Sequence, residues 1–243
     1  MIPWLPPEAG LHIPFPAVET ALTEPNGLLC AGGDLSPERL IAAYRRGIFP
    51  WFGEGDPILW WSPNPRTVLF PGEFILHRSL AKTLRNARYE VRCDTAFGAV
   101  LEACASTPRA GQHGTWITQP MRAAYLRLFD MGYAHSVETW IDGRLAGGLY
   151  GVAVGHAFFG ESMFAHARDA SKIALAHLSA FVRERDFGII DCQMETAHLT
   201  SLGARPIARM QFVGLLAALR DAGDPPARWP ADAMRGLFGR NAT

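Results

Sequence analysis

The chain has 243 residues, 49% of them hydrophobic, enough to bury the core of one large domain or two smaller ones. Lys and Arg balance Asp and Glu at 23 each, which excludes a wholesale polyanion or membrane-surface binder and confines any nucleic-acid contact to a local patch. Cys30, Cys93, Cys104 and Cys192 are widely spaced with no Cys-x-x-Cys pair, a pattern of reduced, mostly buried thiols rather than a zinc site.

The first residues, MIPWLPPEAG, lack the basic and apolar regions of a signal peptide, and no apolar run reaches the roughly 18 residues of a membrane span. The expectation is a soluble, cytoplasmic protein. Residues 1–65 are rich in Pro, Gly and Trp and predict one helix, with Ser36 as N-cap, Pro37 at the first helical position and a stop at Gly47. The remainder of that stretch reads as ordered loop, stiffened by prolines and packed by aromatic rings.

From Arg66 onward strands and helices alternate, so a second domain is expected over residues 66–243. TVLFP and YEVRCD read as strands, AFGAVLEACA and QPMRAAYLRLFDMG as helices. The run AHSVETWIDGRLAGGLYGVAVGHAFFGESMF reads as two or three antiparallel strands, with Asp142-Gly143 as the hairpin turn. The helix DASKIALAHLSAFVRERD and the strand GIIDCQM follow. Hairpin strands, a helix and a returning strand predict a mixed α/β (α+β) sheet, similar to the acyltransferase fold of the N-acetyltransferases. In that fold a glycine-rich loop before the central helix holds the coenzyme A pyrophosphate at the helix N-terminus. The corresponding loop, MFAHARDASKIAL, has no glycine and carries Asp169, a residue suited to capping the helix and unsuited to receiving an anion. The expected architecture is therefore an irregular N-terminal domain followed by a GNAT-like domain lacking the coenzyme loop.

The blocks EPNGLLCAGGDLSPERLIAAYRRGIFPWF, ILWWSPNPR, GTWIT, GGLYGV, FGESMF, ASKIAL and IIDCQMETAHLTSLGA, in this order, resemble the leucyl/phenylalanyl-tRNA–protein transferase family over residues 14–213. The resemblance implies an enzyme that moves Leu or Phe, and less readily Met, from the 3′ end of aminoacyl-tRNA to a protein's N-terminal Arg or Lys, marking it for the N-degron pathway. It further implies aminoacyl-tRNA and such proteins as partners, no membrane, and a monomer. The donor is an activated ester and the acceptor an α-amine of pKa roughly 7.7–8, so positioning and proton removal suffice and no metal or coenzyme is required.

Asp191 follows Gly188-Ile189-Ile190 in a strand of buried character, where an ionised carboxylate needs partners. Gln193 projects on the same face of a regular strand, so Asp191 can fix the Gln193 amide, which then contacts the amine or ester. The resemblance makes both catalytic; the plainer alternative is a core Asp satisfied by backbone amides. Glu161 closes an apolar run and is expected at the rim, as an acceptor for an amine in the site or as a surface turn carboxylate. The resemblance tips it toward the site and implies a donor side-chain pocket of Leu149, Phe158, Met163, Leu175, Leu178, Val182 and Ile190. Leu175, Leu178 and Val182 share one helical face, which is also what plain core packing would produce. In a regular strand Ile190 points away from Asp191 and Gln193, so the strands must splay there or one assignment fails.

Arg78, Lys82 and Arg85 form one basic helical face, extended by Arg88 and Arg92, that can hold a tRNA phosphate backbone or simply be solvated. Trp51 and Trp116 are candidate walls for the 3′-terminal adenosine, with Gly114 and Thr115 suggesting an exposed strand start at GTWIT. Competing readings are a coenzyme A-dependent N-acetyltransferase, another aminoacyl-tRNA-dependent transferase, and a non-catalytic RNA-binding module.

Overall fold

The computed structural model describes residues 2–107, 115–223 and 226–238. The N-terminal part is more regular than expected. Strands β1 (Trp4–Leu5), β2 (Leu28–Gly32), β3 (Phe49–Pro50) and β4 (Leu59–Trp61) form a four-stranded sheet in the order β1-β2-β4-β3, with helix α1 (Pro37–Tyr44) between β2 and β3. All five residues of β2 are buried, so LLCAG has no alternation to betray it. The Trp60 indole N–H donates to the Gly32 carbonyl at 2.8 Å and pins β4 to β2. Ser36 caps α1 as expected, accepting from the Arg39 amide. After α1, Gly47 has φ +72°, and a Cβ there would stand 2.7 Å from the Phe212 ring. Only glycine permits this close turn from the helix into β3.

The second sheet has seven strands: β5 (Arg66–Leu69), β6 (Glu90–Cys93), β7 (Ala134–Ile141), β8 (Arg144–Val154), β9 (Ala157–Ala165), β10 (Ile189–Gln193) and β11 (Arg205–Ile207). Their order is β11-β5-β10-β9-β8-β7-β6, antiparallel except for the parallel pair β10 and β9. The associated helices are α2 (Arg78–Asn86), α3 (Phe97–Ser106), α4 (Gln119–Asp130), α5 (Ala170–Arg183), α6 (Ala197–Ser201) and α7 (Arg209–Leu219). This is the expected mixed α/β arrangement, with α5 as the crossover between the parallel strands. Period-two alternation splits the buried side chains between two cores. Val68, Phe159 and Ile189 face α3, α4 and the N-terminal sheet, whereas Leu69, Phe158 and Ile190 face α5.

Asp169 precedes α5 with φ +61° but makes no side-chain cap. Its carboxylate instead accepts from the Thr83 hydroxyl at 3.2 Å and lies 3.5 Å from Lys172 Nζ, tying α2 to α5. A left-handed residue turns its side chain away from the helix amides, which is why the expected cap does not form. Among the described residues no helix is long and apolar enough to cross a membrane.

Candidate active site

Strands β9 and β10 pair only over Ile189–Ala157, Ile190–Phe158 and Asp191–Phe159. Beyond that point β9 continues along β8 and β10 along β5, with a bulge between Asp191 and Gln193 and Gln193 at φ +63°. The strands therefore splay, and a cavity of ≈ 530 Å³ fills the gap. Because it opens at the end of the pairing, it touches both faces of β10. Ile190 borders it from the α5 core and Asp191 from the other, so the opposite directions of these two side chains are compatible with one site.

Leu149, Phe158, Met163, Leu175, Leu178 and Ile190 line the cavity. Val182 is fully buried in the α5 core and is not among the lining residues. It lies a turn beyond Leu178 on α5, deeper than the cavity reaches. Trp51 and Trp116 stand at the margin, Trp51 39% exposed and edge-on to Trp61 with ring centroids 5.5 Å apart. Thr115–Thr118 is not a strand but the non-helical lead into α4, and Gly114 lies outside the described residues.

Asp191 is fully buried and its carboxylate accepts three hydrogen bonds. Arg66 Nε donates to Oδ1 at 2.8 Å and Nη2 to Oδ2 at 2.6 Å, while Nη1 donates to the Gly47 carbonyl. The guanidinium is sandwiched between the Phe49 and Phe212 rings, 4.7 Å from each centroid. Oδ1 also accepts from the Gln193 backbone N–H at 3.0 Å. Asp191 thus holds the backbone of Gln193 and not, as expected, its side-chain amide. The bulge rotates that side chain away from Asp191, and Nε2 donates instead to Glu161 Oε1 at 3.1 Å.

Glu161 is not at a rim. Strand β9 runs four residues past it, to Ala165, and the side chain is only 8% exposed. Oε1 accepts from the Tyr44 hydroxyl at 2.8 Å and Oε2 from the Tyr125 hydroxyl at 2.6 Å. Burial raises its pKa to about 7, opposed by the two phenol hydrogen bonds and reinforced by the Asp191 charge. The phenols are themselves held well above 10, chiefly by burial and next by the Glu161 charge, so they remain donors. A carboxylate at the floor, fixed by α1 and α4 and orienting Gln193, links the N-terminal sheet's helix to the cavity.

Arg66, Tyr44 and Tyr125 were not singled out by the sequence. Tyr44 and Tyr125 are buried residues of α1 and α4. Arg66 carried a usable signal, a charge opening the apolar strand RTVL. Arg78, Lys82, Arg85 and Arg88 are exposed on and just beyond α2, and none forms an ion pair among the described residues; Arg92 is paired with Glu90 at 2.7 Å.

The architecture is a mixed α/β sheet whose parallel centre splays over an apolar cavity, with a buried crossover helix as one wall. A family model described as leucyl/phenylalanyl-tRNA protein transferase matches residues 68–217, and one for its N-terminal domain matches residues 33–64. The leucyl/phenylalanyl-tRNA–protein transferase of an Azoarcus species is 62% identical over 229 residues, covering 94% of this chain and 95% of the relative. That of Nitrosomonas europaea is 61% identical over 219 residues, 90% of this chain and 92% of the relative. A GCN5-related N-acetyltransferase from Kribbella flavida superposes with TM-score 0.32 at 12% identity, over 69% of this chain and 59% of that one. The chain belongs to the leucyl/phenylalanyl-tRNA protein transferase family of aminoacyltransferases.

Proposed function

We propose that this protein transfers Leu or Phe, and less readily Met, from the 3′ end of aminoacyl-tRNA to the N-terminal Arg or Lys of acceptor proteins. The product would be marked for N-degron degradation in the cytoplasm. The observation that carries this reading is the cavity between β9 and β10: an apolar wall of six side chains meets the Gln193–Glu161 pair, in a chain of this family.

The donor side chain enters the wall formed by Leu149, Phe158, Met163, Leu175, Leu178 and Ile190, where no side-chain charge competes with burial. Trp51 and Trp116 stack the terminal adenosine, and the α2 stripe of Arg78, Lys82, Arg85 and Arg88 meets phosphates. Gln193 gives an amide N–H to Glu161, which leaves its Oε1 as acceptor for an N–H of the attacking amine. The amine nitrogen bonds to the ester carbonyl carbon, the ester C–O bond breaks, and the amine proton passes to the departing ribose oxygen.

Asp191 acts in this scheme as a positioning residue. Oδ1 accepts from Arg66 and the Gln193 backbone and Oδ2 from Arg66, so the carboxylate is already engaged in holding the strand end. Residues 1–65 and 66–243 serve as two domains of one monomer, the first contributing Tyr44 and Trp51 to the site. The test is Gln193→Ala in a single-turnover transfer assay. Loss of about 10²-fold in rate with unchanged aminoacyl-tRNA binding is expected for a lost positioning contact, and an unchanged rate would refute the role.

A further inference from the structure

The segment 226–238, beyond the residues the family model matches, runs as a strap against β6, β7 and α5. It is fastened at several points. The Trp229 backbone N–H donates to Asp94 Oδ2 at 2.8 Å, the Ala231 carbonyl accepts from the Cys93 amide at 3.1 Å, and Met234 is fully buried. Trp229, partly buried, packs its ring against the interior. The indole stacks flat on His135, with centroids 4.0 Å apart and planes 4° apart, and His135 is in turn held by Asp94 at 2.8 Å. Its other contacts are Phe181 at 4.8 Å and Phe158 at 5.9 Å between centroids.

Phe158 is the residue that matters here, because it is fully buried and also lines the cavity. Its ring cannot yield toward β8, since even a Cβ on Gly151 would lie 2.5 Å from it. The ring therefore lies between Gly151 and Trp229 at the edge of the cavity, and Trp229 in turn stacks on His135. A wall this tightly packed transmits a loss of volume from its outer layer to its inner one.

We propose that Trp229 is a specificity-determining positioning residue: by backing Phe158, the strap sets the depth of the donor side-chain pocket and hence the balance between Leu and Phe. This inference rests on the aminoacyl-transfer reading of the cavity. Removing the indole lets Phe158 retract and deepens the pocket, which favours the longer aromatic donor side chain. Hydrophobic pockets of this kind discriminate by about tenfold or more per methylene-sized change.

The experiment compares kcat/KM for Leu-tRNA and Phe-tRNA with an Arg-started peptide for the parent protein, Trp229→Ala and Trp229→Phe. The expected result is a Phe-to-Leu ratio raised about tenfold in Trp229→Ala and restored most of the way in Trp229→Phe. A merely structural role lowers the active fraction and reduces both donors equally, so an unchanged ratio overturns the inference. Should Trp229→Ala fail to fold, a parent-like ratio in folded Trp229→Leu overturns it in the same way. Failure of the parent protein to transfer either amino acid would instead overturn the reading of the cavity itself, so the two failures are distinguishable.

Discussion

Arg66 grips Asp191 with two parallel hydrogen bonds, at 2.8 and 2.6 Å, inside a sandwich of Phe49 and Phe212. The pair joins the start of β5 to the end of β10, where the bulge places Gln193. Its geometry makes the carboxylate an anchor for the backbone that carries the Gln193 side chain.

Asp191→Asn separates anchor from base. The buried Arg66 loses its counter-charge, and removing one partner of a buried pair costs about 3–5 kcal/mol, readable as a lower midpoint in urea. Transfer slows, yet the pH–rate profile of the folded variant keeps its shape at a lower plateau. Disappearance of one limb of the profile would make Asp191 the base.

Glu161 introduces a pH dependence of stability. Its folded pKa of about 7 exceeds the ordinary carboxylate value of 4.5, so the stability it contributes is fully present below pH 4.5 and is lost as pH rises through 7. Glu161→Gln removes that penalty. Between pH 5 and pH 8 the variant should gain roughly 2–3 kcal/mol relative to the parent in denaturant melts. A constant difference across that range would contradict the raised pKa.

The same ionisation should govern turnover. Ionised Glu161 accepts from Gln193 Nε2, whereas a protonated carboxyl competes as donor and releases the amide. Rates for the parent should rise with an apparent pKa near 7 in addition to that of the acceptor amine. In Glu161→Gln only the amine titration should remain; two surviving titrations would remove Glu161 from the account.

The cavity wall and the core behind it should separate cleanly. Leu178→Phe narrows the wall and should cut kcat/KM for Phe-tRNA about tenfold more than for Leu-tRNA. Val182→Ala, buried but away from the cavity, should lower stability by about 1–3 kcal/mol and leave the donor ratio alone. Equal effects of both variants on the ratio would place Val182 in the wall after all.

The α2 stripe is tested by salt. Arg78→Ala with Lys82→Ala should weaken aminoacyl-tRNA binding without altering donor preference, and should lower the slope of log affinity against log salt by about 1–2. An unchanged slope would leave these side chains merely solvated.

Much of the seven-stranded half was legible because its elements obey simple periodicities. The Asp142-Gly143 turn and the apolar face of α5 required no knowledge of partners. The N-terminal sheet was not legible: β2 is buried on both faces, while β1 and β3 have two residues each, too short for a period. Helix α7 was missed for a related reason. It has no side-chain cap at its start, and RMQFVGLLAAL is apolar almost all round. In the site, the residue types were readable but their pairing was not. A bulge at Gln193 reverses which carboxylate holds which part of the glutamine, and a bulge leaves no mark in the sequence beyond a polar residue near a strand end. Glu161 was placed at a rim because its two phenol partners come from helices 117 and 36 residues away.

The most direct measurement is transfer of radiolabelled Leu or Phe from its tRNA to peptides that differ only in the first residue. The account predicts labelled product with Arg or Lys first, none with Ala first, and loss of product in Gln193→Ala. Equal labelling of the Ala peptide, or full activity without Gln193, would contradict it.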